Sequence, residues 1–348
     1  MSVPNATAEK ALNNAGSNVS KAASAIPELA SVYGVVADDF AVVNRMIPER
    51  LTSRVALVED IGAHIIESGG KRLRPLLVLL GARAMGYDGA DHTKLAAIIE
   101  FLHTATLLHD DVVDRSDRRR GRKTANAVWG NAPSVLVGDF LYSRAFQLMV
   151  ELAEPEVLRI LSDATNTIAE GEVLQLANVG RLDVDESQYL ETIRCKTALL
   201  FEAATHTAGV LTSDQPRLVE ALRLYGLQFG LAYQLVDDYL DYAGDSATLG
   251  KNTGDDLAEG KLTLPIIHAL PRVGDADRTV LERALKAGDA DQLERVREVL
   301  KRAGSLDYTR NAALTYAQRA QDAAIELPPS TARDAMITLN DYCVARLS

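Results

Sequence analysis

The chain has 348 residues, of which 47% are hydrophobic and 24% charged, and its formal net charge is −11. This acidic balance disfavours a nucleic-acid-binding protein, because such proteins usually carry a basic excess or a basic face. Its two cysteines, Cys195 and Cys343, lie far apart in no metal-binding pattern. They argue against a disulfide framework or a structural zinc site, and they fit a cytoplasmic location.

Helical patterns follow one another along most of the chain. Residues 1–26 are poor in bulky apolar side chains and are predicted to form a loosely ordered N-terminal extension. From Pro27, "PELASVYGVVADDFAVVNRMI" places apolar residues at helical spacing as far as Pro48. The next helix is predicted to begin at Thr52 or Ser53 and to end at the glycines of residues 69 and 70.

A further helix is predicted to begin at Pro75, since proline suits the first turn of a helix. It is followed by a long helix, "DHTKLAAIIEFLHTATLLHDDVVD". Strand-like alternation is scarce, and no apolar run reaches the 18 residues that would indicate a transmembrane helix. The chain is therefore predicted to be all-α, with one domain over residues 27–348.

Two aspartate motifs are the strongest chemical signal. "LLHDDVVD" ends in Asp110, Asp111 and Asp114, and "QLVDDYLD" ends in Asp237, Asp238 and Asp241. Helical spacing of three and four residues lets each set share one face, where like charges destabilise the helix unless cations offset them. Carboxylates with incomplete coordination suit Mg²⁺, which substrate phosphates usually complete. The alternative is two solvated acidic helix ends, and repetition of the motif makes that alternative weaker.

Cationic segments accompany these motifs and indicate phosphate ligands. "GGKRLRP" supplies Lys71, Arg72 and Arg74 at the start of a predicted helix, where backbone N–H groups also favour anions. Each cluster taken alone also fits an ordinary solvated surface. The other candidates are Arg119 and Arg120 after the first aspartate motif, Lys251 and Lys261 after the second, and Lys196 with Thr197 in "RCKTALLFE".

The order of these motifs resembles one family. "GGKRLRP", "LLHDDVVDRSDRRRG", "EGEVLQL", "CKTALL", "YQLVDDYLD" and "GKNTGDDLAEGKLTLP" occur in the order seen in trans-isoprenyl diphosphate synthases (polyprenyl synthetases). With "TANAVWGNAPSVLVGDFLYSRAF", the chain is most similar to the bacterial octaprenyl diphosphate synthase group. The resemblance implies an all-α helical bundle of the isoprenoid synthase type with a central active-site cavity.

The resemblance also implies roles for individual residues. The catalytic set would be Asp110, Asp111, Asp114, Asp237, Asp238, Asp241 and Lys196. Magnesium, three ions per site with substrate bound, would be held by Asp110, Asp111, Asp114, Asp237 and Asp241. Isopentenyl diphosphate would contact Lys71, Arg74, His103 and Arg120. The allylic diphosphate would contact Arg119, Lys196, Thr197, Gln234, Lys251 and Lys261. In this interpretation the aspartates and arginines of the first motif bind these ligands and are not chiefly paired with each other.

Product length is expected to depend on Ala105, Thr106 and Phe101, on the helix that leads to Asp110. Short-chain family members carry bulky aromatic residues near Ala105, so the resemblance implies a deep tunnel and a long product of about C40, built from farnesyl diphosphate for a quinone side chain. The alternative is that Ala105 is a site of close helix packing.

Other functions are weaker rivals. A shorter-chain synthase is one, and a class I terpene cyclase is another, although it would usually carry a different second motif. A non-catalytic partner subunit would tend to lack one aspartate motif, and both are present. The resemblance suggests a homodimer, and an oily product suggests loose membrane association; no nucleic-acid partner is expected.

Overall fold

The computed structural model describes residues 27–244, 253–288 and 290–347. Almost all of the described elements are helices, which confirms the all-α prediction. The helices are α1 (Pro27–Val35), α2 (Ala37–Arg50), α3 (Ala56–Glu67), α4 (Leu73–Ala84), α5 (Asp91–Val113), α6 (Ala125–Trp129), α7 (Asn131–Leu152), α8 (Pro155–Asn178), α9 (Glu186–Ile193), α10 (Leu199–Thr212), α11 (Pro216–Ala243), α12 (Asp255–Ala258), α13 (Leu264–Ala269), α14 (Asp275–Ala287), α15 (Leu293–Arg302), α16 (Ser305–Ile325) and α17 (Thr331–Ala345). The predicted N-terminal extension lies outside the described residues.

The described chain forms two compact units, each built from separate stretches of sequence. The first takes residues up to Ser162 together with Ala203–Arg223 and Ala324–Leu339. The second takes Asp163–Glu202, Leu224–Ala323 and the residues from Asn340 onward. The prediction of a single domain over residues 27–348 stays a prediction.

In the first unit, α5 is the central helix. Its 23 residues are buried on several sides, from Leu95 and Ile98 to Phe101 and Leu108, and α2, α4 and α7 pack against it. A helix that is apolar on most of its circumference is stable only when neighbours enclose it. This enclosure holds the end of α5, which carries the first aspartate motif, in a defined position.

Three helix boundaries differ from the predictions. The first predicted helix is divided at Val36, whose backbone is not helical. The next helix begins at Ala56, because Ser53 forms a preceding turn in which its hydroxyl accepts from the backbone N–H of Val55. α4 begins at Leu73 and not at Pro75, and the N–H of Leu76 donates to the carbonyl of Arg72. Pro75 therefore lies in the first turn, as expected, but not at its first position.

A short antiparallel hairpin follows the first aspartate motif. Strand β1 (Arg118–Arg119) pairs with β2 (Arg122–Lys123) through a turn in which Arg120 and Gly121 both have positive φ. Arg118 lies opposite Lys123, and Arg119 lies opposite Arg122. Directly opposed like charges destabilise a hairpin, so this one concentrates positive charge at an energetic cost.

In the second unit, a π-helical segment (Arg194–Ala198) joins α9 to α10. Single π turns inside helices often occur at functional sites. Glycines of two other helices make room for it: a Cβ on Gly171 would lie 2.6 Å from Cβ of Cys195, and one on Gly230 would lie 2.6 Å from Cα of Ala198. An apolar cluster that includes Leu257, Ile266 and Leu281 forms the core beneath α12–α16.

None of the described helices combines the length and hydropathy that a membrane span requires. Cys195 and Cys343 are both buried, free cysteines.

Candidate active site

The first aspartate motif occupies the last turn of α5. Asp111 is fully buried, whereas Asp110 and Asp114 are partly exposed. Oδ1 of Asp111 accepts from Nε and Nη2 of Arg119 at 2.9 and 2.8 Å. Burial raises the pKa of Asp111, and the Arg119 guanidinium opposes this rise. The expectation that these aspartates and arginines are not chiefly paired with each other is therefore wrong for Asp111 and Arg119, which are brought together because the hairpin folds back on α5.

Asp111 also retains an acceptor that points to a ligand. Its second oxygen, Oδ2, is buried and has no hydrogen-bond partner among the described residues. A buried carboxylate oxygen without a donor is costly, so such an atom usually has a partner that the protein itself does not supply.

The four residues predicted to bind isopentenyl diphosphate lie in the first unit, and two of them, Arg74 and His103, are in direct contact. Nη1 of Arg74 donates to Nε2 of His103 at 3.2 Å. The guanidinium of Arg120 packs against Gly70, where any Cβ would collide with it. Burial, followed by the charges of Arg74 and Arg120, lowers the pKa of His103 well below its ordinary value. His103 is therefore neutral at pH 7, with Nε2 free of a proton and able to accept.

The neighbouring Lys71 and Arg72 differ in their surroundings. Arg72 has a left-handed backbone and a buried side chain that pairs with Glu100 at 3.5 Å and donates to Asn44. Tyr33 donates to the carbonyl of Lys71. Arg72 therefore anchors the segment to α2 and α5, while Lys71 remains partly exposed.

In the second motif, Asp238 is buried and held by two donors. Nε2 of Gln234 donates to Oδ1 at 2.7 Å, and the hydroxyl of Tyr189 donates to Oδ2. Burial raises the pKa of Asp238 to about 6, despite these two hydrogen bonds.

The other two aspartates of this motif have different partners. Both oxygens of Asp241 accept backbone N–H groups, from Gly254 at 3.1 Å, Asp255 at 3.2 Å and Asp256 at 3.3 Å. Oδ1 of Asp237 accepts from Nη2 of Arg346 at 2.9 Å. The three carboxylates therefore have different hydrogen-bond partners.

A cavity of about 130 Å³ in the second unit gathers several predicted residues. Lys196 in the π segment donates to Glu172 at 2.7 Å and to Gln175 at 2.6 Å. Lys261 pairs with Glu259. Lys251 lies outside the described residues. The predicted residues that line the cavity are Lys196, Thr197, Gln234, Asp238 and Lys261.

Sequence reasoning assigned no role to several residues of this region. Glu172 and Gln175 lie in "EGEVLQL", a segment that carried the family resemblance, and that was the available signal. Tyr189 lies seven residues before Lys196, on the preceding helix. Arg346 reaches Asp237 from more than a hundred residues away, and nothing in the local sequence indicates this contact.

The predicted chain-length residues lie along α5. Ala105 and Phe101 are buried, with 0% and 1% of their surface exposed, while Thr106 is partly exposed and donates to the carbonyl of His103 at 2.8 Å. Close burial of Ala105 agrees with its small size in either interpretation of this position.

Comparison with known proteins identifies the family. The sequence model of the family described as "Polyprenyl synthetase" matches residues 55–303, which include both aspartate motifs. The chain belongs to the polyprenyl synthetase family. It is therefore a prenyltransferase.

Three similar polyprenyl synthetases cover almost the whole chain. The octaprenyl diphosphate synthase of Escherichia coli (strain K12) is 48% identical over 91% of this chain and 99% of its own length. The crystal structure of a decaprenyl diphosphate synthase from Rhodobacter capsulatus aligns with a TM-score of 0.87 at 47% identity, over 91% of this chain and 98% of that one. A polyprenyl synthase from Caulobacter crescentus CB15, complexed with calcium and isoprenyl diphosphate, gives the same TM-score at 46% identity, over 91% and 98% of the two chains.

The donor chemistry of this chain fits a hard divalent ion. The first motif offers carboxylate oxygens, including the buried, partnerless Oδ2 of Asp111, and oxygen ligands are those that Mg²⁺ and Ca²⁺ prefer. Within the described residues, no three His, Cys, Asp or Glu side chains gather closely enough to hold an ion by themselves.

Proposed function

We propose that this polyprenyl synthetase is a long-chain trans-polyprenyl diphosphate synthase. It condenses successive isopentenyl diphosphate units onto an allylic diphosphate, for which farnesyl diphosphate is the proposed primer, to a product of about C40 that serves as a quinone side chain. The observation that carries the proposal is the cavity lined by Lys196, Thr197, Gln234 and Lys261, because it places cationic and polar groups from separate elements around one space. The octaprenyl and decaprenyl products named for two relatives support the length.

The reaction follows from the charges of these residues. The allylic C–O bond breaks to give a carbocation and a diphosphate anion, and cations near the diphosphate stabilise the charge that develops there. The C=C bond of isopentenyl diphosphate then attacks the carbocation. Loss of one proton, to the released diphosphate in our proposal, restores neutrality and gives a chain longer by five carbons. Lys196, Arg119 and Lys261 are the side chains proposed to hold the allylic diphosphate.

Isopentenyl diphosphate is proposed to bind where Lys71, Arg74, His103 and Arg120 lie. Arg74 and Arg120 supply fixed positive charge, and Arg guanidinium groups match phosphate oxygens in geometry. His103 is held neutral by burial and by these arginines, so it adds no charge of its own. It instead keeps Arg74 oriented through the 3.2 Å hydrogen bond.

Magnesium is the proposed cofactor, with three ions per site. When bound, the ions supply positive charge against the diphosphate leaving group. Asp110, Asp111 and Asp114 are proposed to hold them from the first motif. In the second motif Asp237 and Asp241 are proposed to hold them, and an ion would have to bind beside the Arg346 contact of Asp237 and the backbone N–H contacts of Asp241.

The proposal is tested with the purified chain, farnesyl diphosphate, labelled isopentenyl diphosphate and magnesium, with product lengths read by chromatography. We expect long products from this single chain. Asp110→Ala and Asp237→Ala should each lower turnover at least about a hundredfold, an effect far larger than their effect on folding stability. Near-normal turnover of either variant would contradict the proposed roles.

The same assay distinguishes the rivals. Turnover of the allylic substrate without isopentenyl diphosphate would indicate a terpene cyclase, and no turnover of the single chain would indicate a partner subunit. With Ala105→Phe we expect markedly shorter products, because the aromatic ring would block a tunnel beside α5. Overpacking alone would reduce the amount of folded enzyme. It would leave product length unchanged, and that result would support the close-packing alternative.

We also propose that the chain forms a homodimer and lies in the cytoplasm. Loose membrane association would allow release of the oily product. The dimer is supported by apolar residues that α7 leaves exposed, among them Leu136 and Val150. Membrane association and location rest on the chemistry of the product and on the cysteine usage, and fractionation of cells into membrane and supernatant tests both.

A further inference from the structure

Tyr189 is a buried tyrosine whose hydroxyl faces the second aspartate motif. It lies on α9, with 4% of its surface exposed, and it lines the same cavity as Lys196, Thr197 and Asp238. Its hydroxyl donates to Oδ2 of Asp238. A tyrosine buried this deeply requires a hydrogen-bond partner, and this one has taken a carboxylate.

The contact is the first link of a directed chain of hydrogen bonds. The other oxygen of Asp238 accepts from Nε2 of Gln234 at 2.7 Å. The amide oxygen of Gln234 accepts from Oγ1 of Thr197 at 2.8 Å. An ionised carboxylate can only accept, so the Gln234 amide must turn its NH₂ group towards Asp238 and its oxygen towards Thr197.

Without the tyrosine hydroxyl, the side chains of this hydrogen-bond chain would no longer be held in fixed orientations. Within the described residues, the Tyr189 hydroxyl is the donor to Oδ2 of Asp238. Its loss would leave a buried oxygen without a hydrogen bond, which is costly. The carboxylate could then rotate, and the Gln234 amide would no longer have a fixed direction. Thr197 and Gln234 both face the cavity, so the loss would reach the side chains that are proposed to contact the allylic diphosphate.

We infer that Tyr189 is a positioning residue for the allylic diphosphate site, acting through Asp238 on Gln234 and Thr197. The inference rests on the proposed function, because it assumes that this cavity takes the allylic diphosphate. Tyr189 touches no substrate in this account, and its effect is confined to one of the two substrates.

The test is Tyr189→Phe, with Tyr308→Phe as the matched control. Tyr308 also donates its hydroxyl to a carboxylate of the second unit, that of Glu186 at 2.8 and 2.9 Å, but it does not line the cavity. For Tyr189→Phe we expect KM for the allylic diphosphate to rise about tenfold, with KM for isopentenyl diphosphate unchanged. Tyr308→Phe should leave both KM values within twofold of wild type.

Two further measurements separate positioning from general loosening. In a Gln234→Leu background, Tyr189→Phe should raise KM for the allylic diphosphate little further, because the effects of substitutions at residues that act through one another are not additive. Calorimetric titration with inorganic diphosphate in the presence of magnesium measures binding affinity. Wild type and Tyr308→Phe should bind diphosphate more tightly than Tyr189→Phe. If Tyr189→Phe does not fold, Asp238→Asn is expected to give the same selective effect on the allylic substrate.

Equal rises of both KM values, full additivity with Gln234→Leu, or an unchanged allylic KM would each overturn the inference. A wild-type chain that binds diphosphate but does not turn over isopentenyl diphosphate would instead contradict the proposed function. The calorimetric ranking of the variants would then still decide the role of Tyr189.

Discussion

Asp39 connects three helices of the first unit. Its carboxylate accepts from Nε and Nη2 of Arg83 at 2.7 and 2.6 Å, and it lies 3.2 Å from Nε2 of His92. Burial alone would raise the pKa of Asp39, but the hydrogen bonds from Arg83 and the nearby His92 ring lower it below its ordinary value. The carboxylate therefore ties α2 to the end of α4 and to the start of α5.

We expect Asp39→Asn to destabilise the protein at pH 7 by about 1–3 kcal/mol, since the arginine loses a bidentate charged partner. A lowered pKa means that the contribution of Asp39 is complete above about pH 4 and is lost as the pH falls through the lower, folded value. The difference between wild type and variant should therefore shrink below about pH 4. Urea unfolding at several pH values measures both effects.

The control is Glu151→Gln, which breaks the exposed pair with Arg50 at 3.0 Å in the same unit. Exposed ion pairs contribute at most about 1 kcal/mol, so this variant should unfold much like wild type. If Asp39→Asn lowers the free energy of unfolding no more than the control does, the ion pair between Asp39 and Arg83 contributes no more than an exposed surface pair.

Individual candidate residues could be named from the sequence where the signal was local. Asp110, Asp237 and Lys196 stand in motifs whose spacing and order carry the chemistry. Tyr189 and Arg346 could not be found in this way, because their contacts with Asp238 and Asp237 join positions far apart in sequence. The pairing of Asp111 with Arg119 was missed for a related reason: it depends on how the chain turns at Arg115 after α5 and brings β1 back towards Asp111.

The π-helical segment between α9 and α10 depends on glycines of neighbouring helices. A Cβ on Gly230 of α11 would meet the backbone of Ala198 at 2.6 Å and 3.1 Å, atoms that cannot move without shifting the segment. Gly230 lies one turn before Gln234 on α11, and Ala198 follows Thr197. The glycine therefore sets the spacing between two side chains that line the cavity.

We expect Gly230→Ala to destabilise the protein by about 1–3 kcal/mol, the usual cost of overpacking. It should also raise KM for the allylic diphosphate, because the hydrogen bond between Thr197 and Gln234 would be disturbed. Unfolding by urea and steady-state kinetics measure the two effects.

Gly34→Ala in α1 is the matched control. Apart from its chain neighbours and its own helix backbone, no atom lies within 4 Å of a Cβ at residue 34. Gly34→Ala should therefore leave the free energy of unfolding unchanged or raise it by at most about 1 kcal/mol. Equal stability of both variants would show that the close approach at Gly230 is easily relieved.

The presence of the helices could be predicted because apolar spacing is a local signal, and both ends of α5 were predicted to within one residue. The ends of other helices were predicted less accurately. α4 starts before Pro75 because the backbone of Arg72 adopts a left-handed conformation fixed by its buried side chain. The π segment was not predictable at all, since it requires glycines on α8 and α11 that face it only in the folded chain.

At the level of the whole molecule, α7 exposes large apolar side chains near both of its ends. Leu136 and Val150, fourteen residues apart and therefore on similar sides of the helix, have 66% and 69% of their surface exposed. Exposed apolar surface often marks an interface with another protein. The exposed side of α7 is the one proposed to join two copies of the chain.

Light scattering should give about twice the chain mass of 37.6 kDa for wild type. Leu136→Glu should shift the protein towards the monomer, since a charge buried at an interface without a partner is strongly unfavourable. Ile325→Glu, at the exposed end of α16, replaces an apolar residue with 56% of its surface exposed and should leave the mass unchanged. A dimer that survives Leu136→Glu would place the interface elsewhere.

The hairpin with its opposed pairs, Arg118 with Lys123 and Arg119 with Arg122, has a consequence for inhibitor discovery. An anion that binds among these side chains relieves their repulsion, so occupancy adds directly to the free energy of unfolding. The gain grows with the charge of the anion and shrinks in high salt, which screens exposed charges. A thermal-shift screen in low-salt buffer would thus favour compounds that carry two adjacent negative groups, and it would find them before any turnover assay was run.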